Sequence, residues 1–452
     1  MLPAACTRVC PLAWNATGRP ATRRSSAPHS EKFAHDATDL ANTGAIASGS
    51  RPVGRFRRCT SSVRGIVLLV LAYSVTLVAA VLVSDHARRT VLSTAVLFLV
   101  AGAAFGIVHG PAGREQVRTL ADLALVAVLF TDGMRVSFLQ LRQAWHLPGR
   151  ALLLGFPLTL IGTAVAAWAF FGLTWSQALL VGAALAPTDP VFASAIVGRE
   201  EVPVRLRHLL NVESGLNDGL ALPFVVAFMA WAGHHEIAPV EIATELLGGV
   251  ALGTVIPWAA VRLERSRLFG ASEPYRPIGI FAVGLLVFAV AANTHANHFL
   301  AAFVAGATLA TVAPRAPATF ARIGDTGSEL VKLAALLVFG SILSPSFIRD
   351  LRWGAWAFAF VALFAVRPAA IAVALARSRL GVRERLVAAW FGPKGFASVV
   401  YGLIIVSSSV PGSDLLFHLI AITTALSIVL HSSTDVPVAR WLGRRPHLPE
   451  TA

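Results

Sequence analysis

Residues 186–192 read A-P-T-D-P-V-F, and residues 211–223 read N-V-E-S-G-L-N-D-G-L-A-L-P. Both stretches sit inside segments otherwise apolar enough to enter a bilayer, and together they carry Asp189, Glu213, Asn217 and Asp218. A lone charge at the centre of a bilayer costs about 2.5–3.5 kcal/mol on insertion scales, so such groups face a cavity or a partner and mark a function. Here they come as a cluster.

Residues three or four apart share one face of a helix. Glu213 and Asn217 are so related, as are Ser214 and Asp218, and at about 100° per residue all four fit within an arc of about 140°. One face of one helix therefore carries an acid, a hydroxyl, an amide and a second acid. In the preceding segment Pro187 and Pro190 flank Thr188 and Asp189. Each proline lacks a backbone donor, so the helix is expected to open there and free carbonyls towards a cavity. Oxygen ligands on broken helices near the midplane are how transporters build cation sites. Polar kinks that merely pack helices together would be served by Ser, Thr or Asn and do not need two acids.

The rest of the chain has the composition of a membrane protein. Of 452 residues, 56% are hydrophobic and 14% charged, against about 25% charged in soluble domains, and the mean hydropathy is +0.68. Counting runs of about 17–25 apolar residues predicts thirteen spans, at 65–84, 90–108, 118–131, 150–171, 175–197, 206–232, 241–261, 276–292, 295–313, 327–344, 353–376, 384–409 and 414–431. The fold class is thus all-α and polytopic. Spans 1–6 and 8–13 form two halves in which the T-D-P break of span 5 corresponds in position to the G-P-K-G break at residues 392–395 of span 12. Corresponding interruptions point to inverted repeats, with two crossed broken helices between them.

Residues 1–63 are rich in Ser, Ala, Pro and Arg and lack apolar periodicity, which reads as a disordered basic tail. Up to Arg64 there are ten Lys or Arg against three acids, half of the formal net charge of +14. The remaining charge is spread over loops, so no nucleic-acid partner is expected. Residues 64–436 form the transmembrane domain and 437–452 a short tail. Cys6, Cys10 and Cys59 all precede the first span and outline no disulfide framework or metal site. Far more Arg fall on one side of the membrane (Arg88, Arg89, Arg199, Arg205, Arg207 and Arg262 among them) than on the other (Arg114, Arg118, Arg349, Arg352). By the positive-inside rule the C-terminus is cytoplasmic and the N-terminus outside. The tail's own arginines go against that rule, and the expected explanation is a later natural start or removal of the tail.

Arg367, followed by Pro368, is an intramembrane cation that needs a partner. Lys394 sits at the second break, where it could neutralise Asp189 or helix-end carbonyls. Asp132, in L-F-T-D-G-M, ends the third span and by itself reads as a plain helix-end acid. Glu329 and Lys332, three apart, read as a helix-surface pair. His234, His235, His295 and His298 lie at span ends and read as solvated or interfacial. Neither H-E-x-x-H nor G-x-x-x-x-G-K-[ST] occurs, and no cofactor is called for.

T-D-P in one span and E-S-x-L-N-D in the next, with V-R-P at 366–368 and G-P-K-G at 392–395, resemble the monovalent cation:proton antiporters, specifically the NhaP and sodium/proton-exchanger branch. The resemblance covers nearly everything from residue 64 onwards. It implies a multi-pass antiporter of the plasma membrane, embedded in lipid as a homodimer, with core spans at 150–232 and 353–431 and interface spans at 65–131 and 241–344. It also implies that Glu213 is the partner of Arg367, and it offers Asp132 a place in an ion funnel as an equal alternative to a plain helix-end acid. Asp218 would carry the exchange, binding the cation when ionised together with Ser214, Thr188 and the neighbouring Asn217 and Asp189, and releasing it when protonated. Sodium is the expected cation, with potassium and lithium as alternatives. Because Asn217 is an amide and cannot ionise, exchange is expected to be one for one and electroneutral. The rival reading is a proton-coupled carrier of a small organic solute, which would want a larger pocket with aromatics such as Phe192 or Phe224 near it.

Overall fold

Pro187 and the glycine-flanked turn at residues 392–395 interrupt the apolar runs of this chain, and the computed structural model shows what they do. It describes residues 53–87, 93–110, 114–135, 146–189, 202–233, 239–266, 269–343 and 345–443, among which helix is the only regular structure. By Cα proximity the chain divides into Met1–Arg57 and Arg58–Ala452. The membrane fold is that of the second unit.

Helices α1 (Val53–Ala87), α2 (Thr94–His109) and α3 (Arg114–Arg135) come first. They are followed by α4 (His146–Phe171), α5 (Trp175–Leu185), α6 (Val204–Ala232), α7 (Pro239–Glu264), α8 (Arg276–Ala292), α9 (His298–Val312) and α10 (Ala316–Ile342). The chain ends in α11 (Pro345–Asp350), α12 (Trp353–Ala374), α13 (Val382–Trp390), α14 (Phe396–Val406) and α15 (Ser413–Gly443). Local chemistry sets many of these limits. Ser93 caps α2 through the Val96 N–H, Thr174 and Gln177 form a capping box on α5, and Asn297 caps α9 through the Leu300 N–H. Gly172, left-handed at φ 61°, ends α4. Two π turns, Ala151–Gly155 in α4 and Ala362–Val366 in α12, lie just before Pro157 and Pro368, where the missing N–H loosens the helical ladder.

Each expected span has a helix among the described residues, but several limits differ. The first helix begins at Val53 rather than at residue 65, since nothing between Arg55 and Arg64 stops a helix; that part of the expected tail is helical. The tenth begins at Ala316 rather than 327, because charged residues such as Arg322 and Asp325 break the apolar run without breaking the helix. The last continues through Pro437 to Gly443, past the expected boundary at 436. Residues 1–52 and 444–452 lie outside the described residues.

The fifth and twelfth spans are the broken ones. Helix α5 stops at Leu185, and the expected continuation at 190–197 lies outside the described residues. The twelfth divides into α13 and α14 around Phe391–Gly395. Helices α5 and α14 have eleven residues each, about 16 Å at 1.5 Å per residue, or half of a hydrocarbon core about 30 Å thick. Their inner ends therefore fall near mid-membrane.

Helices α2, α3, α7, α8, α9 and α10 pack mainly on one another, as do α4, α5, α6, α12, α13, α14 and α15. The first group is drawn together by backbone approach: a Cβ on Gly340 of α10 would overlap the Leu99 carbonyl of α2, and one on Gly306 of α9 the Phe130 carbonyl of α3. Small residues permit this where there is no water to drive association. The two groups meet where α3 touches α6 and α14, where α9 and α7 touch α6, where α10 touches α14 and where α2 touches α15. The polar cluster lies there.

Candidate functional site

Helix α6 carries the four polar residues on its buried face: Glu213, Ser214, Asn217 and Asp218 are all less than a tenth exposed. The open segment after α5 brings Thr188 and Asp189 against them, also buried. Asn217 Nδ2 donates to Thr188 Oγ1 at 2.7 Å, and Thr188 Oγ1 lies 3.0 Å from Ser214 Oγ. Tyr401 of α14 donates its hydroxyl to the Asp218 carbonyl at 2.8 Å. Two oxygens, Asp218 Oδ1 and Asn217 Oδ1, are buried with no hydrogen-bond partner among the described residues. Burying such an acceptor costs about 1–3 kcal/mol. The structure thus brings the T-D residues against the E-S-x-L-N-D face of α6.

The two breaks touch. The Asp189 N–H donates to Pro393 O at 2.9 Å, and the Phe396 N–H, at the start of α14, donates to Asp189 Oδ2 at 3.3 Å. Asp189 therefore meets the N-terminus of one half-helix, where a carboxylate is favoured. Lys394 Nζ donates to Ala186 O at 3.3 Å, at the C-terminal end of α5, where a cation is favoured. Of the two roles open to Lys394, the structure supports compensation of a helix-end carbonyl. Both glycines of G-P-K-G are required by close approach: a Cβ on Gly392 would overlap the Arg367 guanidinium, and one on Gly395 the Asp189 side chain.

Arg367 Nη2 lies 2.9 Å from Glu213 Oε1, and the pair is almost fully buried. The same nitrogen also donates to Phe391 O at 3.3 Å. The pairing implied by the resemblance is present through Nη2 alone, the nitrogen that also reaches the broken helix.

Lys332 corrects the sequence reading. Instead of pairing with Glu329 on the helix surface, it is buried, with Nζ 3.9 Å from Asp189 Oδ1. Three-residue spacing identifies neighbours on one helix but not the face that another helix covers. The available signal was the lysine inside L-V-K-L-A-A-L-L-V-F-G, an intramembrane cation by the same rule that singled out Arg367. Asp132 is buried near the end of α3 and accepts from Arg135 at 3.2 Å; Arg135 also bonds Asp325 at 2.8 Å. Sequence reading also missed Tyr401, the pair Arg205–Glu384 joining α6 to α13 with contacts of 2.8 and 2.7 Å, and the buried His431 behind the second break.

Comparison with known proteins bears on the family and the fold. The family model for the sodium/hydrogen exchanger, transmembrane, matches residues 73–441. The K(+)/H(+) antiporter NhaP of Alkalimonas amylolytica is 26% identical over 327 residues, covering 72% of this chain and 57% of its own length. The K(+)/H(+) antiporter NhaP2 of Shewanella sp. (strain MR-4) is 25% identical, covering 80% and 64%. The chain thus spans about three-fifths of the length of these curated relatives. The sodium proton antiporter MjNhaP1 from Methanocaldococcus jannaschii, solved at pH 8, shares the fold, with a TM-score of 0.70 at 16% identity over 85% of this chain and 99% of that one.

Proposed function

The chain belongs to the sodium/hydrogen exchanger family, and on that premise we propose that it exchanges a monovalent cation for a proton, with both competing for the Asp218 carboxylate. The observation that carries this is the pair of buried, unpartnered oxygens, Asp218 Oδ1 and Asn217 Oδ1, beside the Thr188 and Ser214 hydroxyls. Those are hard donors of the kind an alkali cation takes. A proton on Asp218 removes the negative charge that holds the cation, so loading one releases the other.

The surrounding charges support a single exchanging carboxylate. Glu213 is paired with Arg367, and Asp189 is met by Lys332 and the Phe396 N–H. Asn217 contributes an amide. Each loaded form of Asp218 is then neutral, and a neutral site crosses an apolar barrier more readily than a charged one. Alternating access would move spans 150–232 and 353–431 past spans 65–131 and 241–344 in a homodimer, with the C-terminus in the cytoplasm; the family resemblance and the arginine distribution support these points. The Lys332–Asp189 contact joins the two groups, so such a movement has to part it.

The sequence leads to sodium, whereas the curated relatives carry names with K(+). The donor set, all oxygen, accommodates either. A carrier of an organic solute has less support: Phe224 is two-fifths exposed and packs on Phe156 and Phe228 rather than facing the cluster, and Phe192 lies outside the described residues. Everted vesicles energised with a proton gradient, to which sodium, potassium, lithium or an organic solute is added in turn, test the reading. Dequenching by an alkali cation, lost in Asp218→Asn, supports it. Dequenching by organic solutes alone refutes it.

A further inference from the structure

The residues that bind the two breaks together, 393 to 396, run from a turn with no helical ladder of its own, residues 391–395, into the start of α14. The turn and the residue just before it are held from behind by one face of α15. The Lys394 N–H donates to Ser427 Oγ at 2.7 Å, and His431 Nε2 lies 3.0 Å from Trp390 O, the last residue of α13. Ser427 and His431 are one helical turn apart, and Ser427 Oγ is 3.0 Å from His431 Nδ1.

Ser427 Oγ accepts the Lys394 N–H and lies against His431 Nδ1, which is also 2.8 Å from the Ser427 carbonyl, while Nε2 lies against Trp390 O. A carbonyl only accepts, so on a neutral imidazole a proton on Nε2 goes to Trp390 O and one on Nδ1 to Ser427 O. In either form a continuous line of polar contacts runs from Lys394 N–H through Ser427 and His431 to Trp390 O, spanning the break from one side to the other. Rings reinforce them: Trp390 stacks on His431 with centroids 4.8 Å apart, Phe391 meets it edge-on at 6.2 Å, and Trp390 Nε1 donates to Thr434 one turn further on at 3.0 Å. Ser427 and His431 are both buried.

We propose that His431, with Ser427, is a positioning residue for transport, splinting the second helix break so that the Lys394 ammonium reaches Ala186 O and the Phe396 N–H reaches Asp189. This rests on the reading of the crossing as the transport site. Such buried geometry is not left to the turn itself, since a segment without a ladder has many backbone conformations of similar energy. The splint selects one of them. His431 touches neither the cation oxygens nor Asp218; it acts through residues 390–396.

The test uses the full chain in proteoliposomes, with turnover normalised to reconstituted protein and with whichever of sodium, potassium and lithium gives the largest signal. His431→Phe keeps an aromatic ring against Trp390 but removes both hydrogen bonds. The half-saturating cation concentration should rise about tenfold, the equivalent of about one buried hydrogen bond. His431→Gln, which can donate to Trp390 O and accept from Ser427, should recover most of that change. Ser427→Ala should shift half-saturation in the same direction, and combining it with His431→Phe should add little, because the two act in one chain. Unchanged half-saturation in His431→Phe, or equal impairment of the Phe and Gln variants, overturns the proposal. If His431→Phe does not reach the membrane, Ser427→Ala decides alone, and wild-type half-saturation there overturns it. Asp218→Asn is run alongside: its normal transport would remove the underlying reading of the site, whereas an inactive Asp218→Asn beside an unaffected splint removes only this inference.

Discussion

Lys332 Nζ lies 3.9 Å from Asp189 Oδ1, a buried ion pair that links α10 to the open segment after α5. It places a cation on the same carboxylate that accepts the N-terminal N–H of α14. Breaking a buried pair by removing one partner costs about 3–5 kcal/mol when the other charge is left behind. Lys332→Met should therefore lower the melting temperature of the purified protein, and adding Asp189→Asn should recover part of the loss. An unchanged melting temperature in Lys332→Met would mean that the contact contributes nothing to stability.

Asp218→Asn should abolish exchange while leaving the protein in the membrane. Asparagine fills the same volume but cannot alternate between a cation-binding and a proton-bound form. Vesicles containing well-folded Asp218→Asn should show no dequenching with any alkali cation. Substantial pH-driven transport by this variant would falsify the assignment of Asp218.

Transport should fall at acid pH because protons occupy the carboxylate that the cation needs, and at alkaline pH because the proton gradient has too few protons to exchange. Raising the cation concentration should move the acid limb to lower pH. Measured from limiting to saturating cation, an acid limb that stays in place would put the inhibitory proton somewhere other than the binding site.

Arg367→Ala should destabilise the protein more than Lys394→Ala. The first strands the Glu213 carboxylate, at about 3–5 kcal/mol, whereas the second removes a cation from a neutral carbonyl. Glu213→Gln in the Arg367→Ala background should restore stability, since an amide leaves no charge unpaired. Equal losses in both single variants, with no rescue in the double, would count against the pair.

Exchange should be electroneutral. Asn217 cannot ionise, Glu213 is bound to Arg367, and Asp189 is met by Lys332 and a backbone donor, which leaves Asp218 as the exchanging group. In liposomes, an imposed potential should leave the equilibrium cation gradient unchanged at fixed pH difference. Coupling of two protons to one cation would shift it by about 2.3 kcal/mol per 100 mV, and Lys332 and Asp189 would then be the groups to test for the second proton.

What the sequence by itself determined are the properties that depend on a short window. Apolar runs located the spans, Pro187 and the G-P-K-G turn located the breaks, and helical spacing put Glu213, Ser214, Asn217 and Asp218 on one face, because hydropathy, a missing N–H and a 100° step are all local. Resemblance added Glu213 as the partner of Arg367. The tertiary structure decided which distant groups share a buried space. Whether Lys394 meets Asp189 or Ala186 O depends on how two broken helices cross, and whether Lys332 faces Glu329 or Asp189 depends on which face of α10 another helix covers. His431 stood in an apolar helix without any motif around it, and only the packing of α15 behind the second break places it between Trp390 O and Ser427. In a bilayer a charge must find a partner or a cavity, so the sequence announces that Arg367 and Lys394 each have one, and the crossing of the helices determines which; Lys332, read as a surface residue, obeys the same rule.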